Sequence, residues 1–392
     1  MVDHKHRDKF SFIDRELDRR IERQQLRQLR SMAPLNGVEV SINGRAMLNF
    51  SSNDYLGLSM HPLLQDRSIE FIHKYGSGST ASRLICGNYD FFDHVEKKLA
   101  ALKQVEAALV LASGFQANIS AIPALADRDS LILSDGLNHN SLIQGCRLAC
   151  CKVIVYSHND VSHLQQQLEK NADKGFSRVF IVTESVFSMD GDKADLGPLV
   201  ALAEAFNAFL IVDDAHATGV FGHQGMGLTC GHNVDLVIGT FGKAAGSYGA
   251  YLACSGKIRD FLVNCCSGLI YSTALPPSVI GAIDAALELI PLMDDERAII
   301  KKNAADLRCE LHDMGWQTGQ SSTQIIPLII GKASDALAVS RWLEENGILI
   351  TAIRPPAVPE GESRVRISLS ALHTRSHIDR LIDVLRKWRN TK

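Results

Sequence analysis

One lysine in this chain keeps unusual company. In DLVIGTFGKAAGSYGAYLACS, residues 235–255, Lys243 follows an apolar run and is hemmed in by Gly, Ala, Thr and Ser. A lysine withdrawn from water loses part of its preference for the charged form, so its neutral amine becomes available to a carbonyl group. A second apolar run, FLIVDDAHATG, ends in Asp213, Asp214 and His216. In one reading an aspartate there caps a following helix. In another, Asp213 faces a heterocyclic nitrogen that must stay protonated, and His216 faces a neighbouring oxygen, a pairing that low dielectric strengthens. A metal reading lacks further ligands at suitable spacing. SDGLNHNSL carries His139 after another such run, either as a structural histidine or as a flat ring able to stack on a second one.

The carbonyl cofactor that takes a lysine Schiff base and an acidic partner for its ring nitrogen is pyridoxal 5′-phosphate (PLP). Its phosphate needs donors. LASGFQAN supplies a strand followed by Gly114 and Phe115 opening a helix, an anion site by virtue of its free N–H groups and dipole. Thr240, three residues before the lysine, adds a hydroxyl. The small residues after Lys243 are expected to let a flat ring come close. GSGSTASR lacks the Gly-Lys-Ser/Thr ending of a P-loop and is read as a backbone-rich pocket wall.

Elements must bring these residues together. From about residue 94, helical stretches alternate with short apolar runs: AALVLASG, SLILSD, KVIVYS, RVFIVTES, FLIVDDAH and DLVIGT. That rhythm predicts an α/β fold with a mostly parallel central sheet covered on both faces, whose ligands bind at the carboxyl ends of the strands. Three units are expected: a helix and hairpin over 1–50, a large cofactor-binding domain over 51–290, and a small α+β domain over 291–392. In the first, residues 11–30 read as one amphipathic helix docked on the body, and GVEVSINGRAMLNFSS as a hairpin with an Asn-Gly turn. In the last, helices are expected from Pro291 to Met314 and over 335–346 and 376–389, with strands in IIPLIIG, ILITAIRPP and RVRISLS.

Composition limits the alternatives. The 392 residues are 46% hydrophobic and 22% charged, with a formal net charge of -3. That suits a globular chain of two or three domains and argues against a nucleic-acid partner, which calls for a basic excess. No apolar run is long enough to span a membrane, and MVDHKHRDKFSFIDRELDRR has no apolar core of a secretory signal. Nine cysteines without a CxxC pair are read as reduced thiols of a cytoplasmic protein, with no metal site.

NFSSNDYLGLSMHP, GSGSTASR, LASGFQAN, TESVFSMDGDKADL, VDDAHATG, GTFGKAAG, IYSTALPP and TAIRPPAVPEGESRVRISLS stand in the order and spacing of the α-oxoamine synthases. From about residue 45 to the C-terminus the chain resembles these PLP enzymes of fold type I, which join an amino acid to an acyl thioester with loss of carbon dioxide. The resemblance implies Lys243 as the Schiff-base lysine and proton-transfer base, Asp213 as partner of the pyridine nitrogen and His216 of the ring hydroxyl. His139 becomes the stacking histidine, and Gly114, Phe115 and Thr240 the phosphate site. Ser272 and Thr273 resemble the pair that reaches the neighbouring subunit's cofactor, which implies a homodimer with shared sites. Asn53, Glu184, Ser188 and Arg366 resemble residues around the substrate, with Arg366 clamping a carboxylate. TAIRPPAVP, IYSTALPP and the HND after the third run are most similar to members that take L-alanine and a pimeloyl thioester, carried by coenzyme A or an acyl-carrier protein. RLICG is instead similar to glycine-using members. Arg27 then has two readings, a solvated face or a partner for the far end of a pimeloyl chain. HATG stands where members often have HGTG, and Phe92 where a histidine is expected.

Overall fold

The computed structural model describes residues 9–391. The first eight residues, part of the stretch read as lacking a secretory signal, lie outside them.

Seven strands form the central sheet, in the order Ala107–Leu111, Ala250–Cys254, Leu236–Thr240, Phe209–Asp213, Val179–Glu184, Leu131–Asp135 and Lys152–Tyr156. The last five are parallel to one another. Helices cover both faces, and two apolar clusters fill the space between, one on each side of the sheet. The six apolar runs of the sequence all become strands of this sheet. The seventh strand, Ala250–Cys254, was not among them, because AYLAC is short and poor in β-branched residues. It runs antiparallel to both neighbours. Only the segment 241–249 separates it from the preceding strand, too little chain for the crossover that a parallel partner needs. Every other strand is followed by polar residues at the same edge of the sheet.

A second layer holds the three-stranded antiparallel sheet Ile325–Gly331, Ser363–Ser368 and Ala352–Ile353. Helices Asp294–Asp313, Ala333–Glu345 and Arg375–Asn390 pack on it around their own apolar cluster. The hairpin Glu39–Ile42 and Arg45–Asn49 turns at Asn43-Gly44, whose φ values of 52° and 77° suit a type I′ turn. Its second strand pairs in parallel with Ile348–Leu349, so this early segment is hydrogen-bonded to the late one.

The N-terminal helix departs from expectation. It spans Ser11–Glu22 rather than residues 11–30 and buries none of its residues. Gln24 adopts the left-handed conformation with φ 56°, and the following polar stretch offers too few apolar positions to earn a packed helical face. Among the described residues no helix is long and apolar enough to cross a membrane.

Candidate active site

The strand ends converge on a cavity of about 180 Å³ lined by Gly114, Phe115, Asn118, His139, Ser141, Glu184, Asp213, Ala215, His216, Thr240 and Lys243. Register explains part of this. Glu184 and Asp213 are paired across adjacent parallel strands, so two carboxyl groups leave the sheet side by side. Both are buried.

The two aspartates of VDDAH have different surroundings. No helix begins directly after them, so neither is a cap; residues 214–222 form turns and bends with an isolated bridge at Thr218. Asp213 accepts from the Asn118 side-chain amide at 2.8 Å and from the Ala215 N–H at 3.0 Å, and lines the cavity. Asp214 points the other way, is fully buried, and accepts from Ser185 Oγ at 2.6 Å, Thr229 Oγ1 at 2.8 Å and Lys103 Nζ at 3.0 Å. Burial opposes the charge of Lys103, but Tyr251 and Asp214 keep its pKa above the usual lysine value. Gly227 makes room for this hub: at φ 90° a Cβ would stand 1.8 Å from Asp214 Oδ2. Asp214 is thus structural and Asp213 is free to face a ligand.

Lys243 keeps some exposed surface, but its amine sits in a desolvated position. Desolvation is the largest influence on its amine and lowers the pKa to about 8, although Asp213 and Glu184 pull upward. The same burial, with Asp213 beside it, raises the Glu184 pKa well above the carboxylate range. Glu184 Oε1 accepts from the His139 N–H at 2.5 Å, which fixes the turn carrying His139 at the cavity mouth. His216 is desolvated and faces Lys243, which drives its pKa well down, so its ring is neutral. Tyr55 Oη lies 2.7 Å from His216 Nδ1.

Tyr55 links the cavity to a second group. Its hydroxyl donates to Asn53 Oδ1 at 3.1 Å and accepts from Arg366 Nη2 at 3.5 Å. Arg366 also donates to Asn53 Oδ1 at 3.1 Å, Ser368 Oγ at 2.6 Å and the Ser188 carbonyl at 2.5 Å. Asn53, Ser188 and Arg366 therefore form one cluster behind His216, with Ser188 and Arg366 buried and Asn53 half-buried. Sequence reasoning singled out these three but missed Tyr55, two residues from Asn53 in the same motif. It also missed Asn118 and Ser141, which tie Asp213 to His139 through bonds of 2.9 Å and 2.7 Å. A signal existed for Asn118, one of three polar side chains, with Gln116 and Ser120, in the mostly apolar helix Gly114–Leu125.

Other expected residues lie elsewhere. Ser272 and Thr273 do not line the cavity of their own chain; Ser272 Oγ accepts from Gln116 Nε2 at 3.0 Å, one turn into the Gly114–Leu125 helix. GSGSTASR is not the wall of this cavity: Ser79 Oγ donates to the Leu275 carbonyl, and Ser82 bridges Thr273. The small residues after Lys243 do not line it either. Ala244 and Ala245 are buried, and a Cβ on Gly246 would stand 2.4 Å from the Ser59 amide nitrogen, so the segment packs closely against Leu58 and Ser59. Arg27 lies beyond the N-terminal helix, in a separate groove shared with Arg30, Arg341 and Arg354. Phe92 is fully buried beneath the Arg83 guanidinium, 4.3 Å from its ring, a packing role that a histidine would fill less well.

The donor set fits PLP. An amine with a lowered pKa, a carboxylate held by two donors and a neutral histidine converge from two adjacent strand ends. Ser113 occupies the cap position and accepts from the Gln116 N–H at 3.2 Å, while the Gly114 and Phe115 N–H groups have no partner among the described residues. Buried Asn118 Oδ1 is likewise unpaired. Thr240 donates its hydroxyl to the Gly249 carbonyl at 2.9 Å, so a phosphate would have to draw it away.

Comparison with known proteins agrees with this reading. Residues 45–385 match the aminotransferase class I and II family. A protein of Desulfosudis oleivorans is 60% identical over 381 residues, spanning 97% of this chain and 99% of its own length. The 8-amino-7-oxononanoate synthase of Gluconacetobacter diazotrophicus is 48% identical over 375 residues, 93% of this chain and 94% of that one. A solved structure of SPT with PLP superposes with a TM-score of 0.92 at 26% identity, covering 98% of this chain and 99% of the other.

Proposed function

The chain belongs to the aminotransferase class I and II family, a PLP-dependent transferase of fold type I, and from that premise we propose that it condenses L-alanine with a pimeloyl thioester, releasing free thiol and carbon dioxide, to give 8-amino-7-oxononanoate. The observation that carries the proposal is the placing of a low-pKa Lys243 beside Asp213, with the Arg366 cluster joined to the same cavity through Tyr55 and His216. The likeness to the Gluconacetobacter diazotrophicus synthase supports the choice of substrates.

Bound PLP supplies a carbonyl for the substrate amine and a ring that takes up the electron pair released at the substrate Cα. Lys243 would hold the cofactor through its amine and, as the neutral amine, would take the proton from the substrate Cα and return one. Asp213 keeps a proton on the ring nitrogen, which makes the ring a better electron acceptor. His216, neutral and with Nδ1 against the Tyr55 hydroxyl, would face the ring oxygen through Nε2. Arg366 clamps the alanine carboxylate until it leaves as carbon dioxide. His139 stacks on the ring and donates to the thioester carbonyl as its oxygen gains charge. Gly114, Phe115 and Thr240 take the phosphate at the helix N-terminus.

A homodimer completes the site in this reading. Ser272 and Thr273 lie off their own cavity, next to Tyr271 and on a surface with Ile85, which are 83% and 78% exposed. A second copy would bring the pair to the neighbouring phosphate. The free cysteines among the described residues support a reducing, cytoplasmic setting.

The pKa of Lys243 leads to a pH effect on the apoprotein. The neutral amine reacts with a carbonyl, and half is neutral near pH 8. Uptake of PLP, followed by absorbance, is expected to speed up from about pH 7 to about pH 9 and then level off. A rate that is flat across this window would remove the lowered pKa from the account.

The assay of function is release of free thiol by the purified protein, with product mass, for alanine, glycine and serine against pimeloyl-, acetyl- and succinyl-coenzyme A. Alanine with the pimeloyl thioester is expected to dominate. A preference for glycine and acetyl-coenzyme A would transfer the assignment to a glycine C-acetyltransferase.

A further inference from the structure

A histidine outside the cavity connects two of the turns that build the site. His158 follows the edge strand Lys152–Tyr156 and sits between two buried carboxylates. Its Nδ1 is 2.9 Å from Asp135 Oδ1, and its Nε2 is 2.8 Å from Asp192 Oδ2. The Phe187 ring stands edge-on to it at 4.3 Å.

Each carboxylate organises a different turn. Asp135 ends the Leu131–Asp135 strand, and its Oδ1 accepts from the Leu137 N–H at 2.8 Å, shaping the turn that delivers His139. Asp192 closes the turn 187–192, in which its carbonyl accepts from the Phe187 N–H at 3.1 Å. That turn presents the Ser188 carbonyl to Arg366 Nε. Asn159 reinforces the pairing: its N–H donates to Asp135 Oδ2 at 2.9 Å and its side-chain amide to Asp192 Oδ2 at 2.7 Å. We propose that His158 is a positioning residue, a doubly donating imidazolium that fastens the His139 turn to the Ser188 turn and so sets the spacing between the cofactor-stacking ring and Arg366.

Only the protonated ring can donate from both nitrogens; a neutral ring would turn a lone pair on one carboxylate. Burial opposes the charge, yet the bonds to Asp135 and Asp192 raise the His158 pKa to about 10, so the ring remains charged at neutral pH. Asp135 is coupled in turn to Tyr156, whose phenol is buried and stays neutral. Lys193, next to Asp192, directs its amine to the Phe221 ring and leaves the imidazolium as the cation between the two carboxylates.

The arm through Arg366 rests on the reading of that residue as the clamp for the alanine carboxylate; the fastening of the turns does not. Two measurements on the full-length holoenzyme separate them. Amide hydrogen exchange in His158→Ala is expected to rise in both segments 135–142 and 185–192. Exchange that rises in only one of them, or in neither, overturns the proposal even if the enzyme's substrate has been misassigned. In steady state, KM for L-alanine is expected to rise about tenfold with kcat changed less than about threefold, the size a small displacement of a positioned group produces. A loss of melting temperature with an unchanged KM would reduce His158 to a structural role and overturn the proposal. His158→Gln, which reaches one carboxylate only, carries the same test if the alanine variant fails to fold. Combined with Asp192→Asn it should cost no more than either change alone; additive losses overturn the fastening.

Discussion

Lys243→Ala is expected to lower the thiol-release rate by about 10³-fold or more and to leave the purified protein colourless. Two jobs end at once in this variant. The cofactor loses its covalent anchor, and the substrate Cα loses its base, a contribution of about 10²–10⁴ for a well-placed proton-transfer group. The loss should not track stability. A lysine whose amine is pushed to a pKa of about 8 by desolvation is poorly placed as a structural cation, so removing it relieves a buried charge. The variant should therefore melt at or above the wild-type temperature in the absence of PLP, and its circular dichroism should be unchanged. Retention of more than a tenth of the activity would sink the assignment of Lys243 as base.

The second large effect separates neighbours in sequence. Asp213→Asn is expected to reduce kcat by about 10²–10³, the range for losing one preorganised electrostatic partner, with little change in unfolding free energy. Its amide can still accept from Asn118 or Ala215 but no longer holds a proton on a ring nitrogen. Asp214→Asn should do the reverse. It leaves the buried Lys103 ammonium without its counter-charge, which costs about 3–5 kcal/mol in chemical unfolding, while the protein that remains folded binds PLP and turns over. If both variants lost stability equally and kept activity, the division of labour in VDDAH would be wrong.

Much of this site was legible in the sequence because its chemistry depends on residue type at strand ends. Lys243, Asp213, His216 and His139 each follow an apolar run, and a mostly parallel sheet brings such positions to one edge. What sequence could not show were partners that only packing selects. Tyr55 reaches His216 across 161 residues, and Asn118 reaches Asp213 across 95. Nothing in local periodicity signals bonds over that distance. Small residues were misleading for a related reason: the composition around Lys243 reports close packing, but not which neighbour is close. There it is the backbone at Ser59 and not a ligand. The N-terminal helix was overextended because its Arg-rich pattern continues past Gln24, whereas the backbone turns left-handed at that residue.

The pairing of Arg45–Asn49 with Ile348–Leu349 also has a consequence for how the chain is made. Ser51 Oγ and Thr351 Oγ1 lie 3.3 Å apart although 300 residues separate them. At about 5–20 residues per second, a ribosome leaves the hairpin edge waiting about 15–60 s for its partner. During that interval the central sheet can assemble from locally connected units, while the second layer cannot close. Exposed strand edges in that period invite pairing with other chains. Slow synthesis, or truncation after residue 347, should therefore favour chaperone capture and aggregation through the hairpin, even though the cofactor's strand ends are already in place.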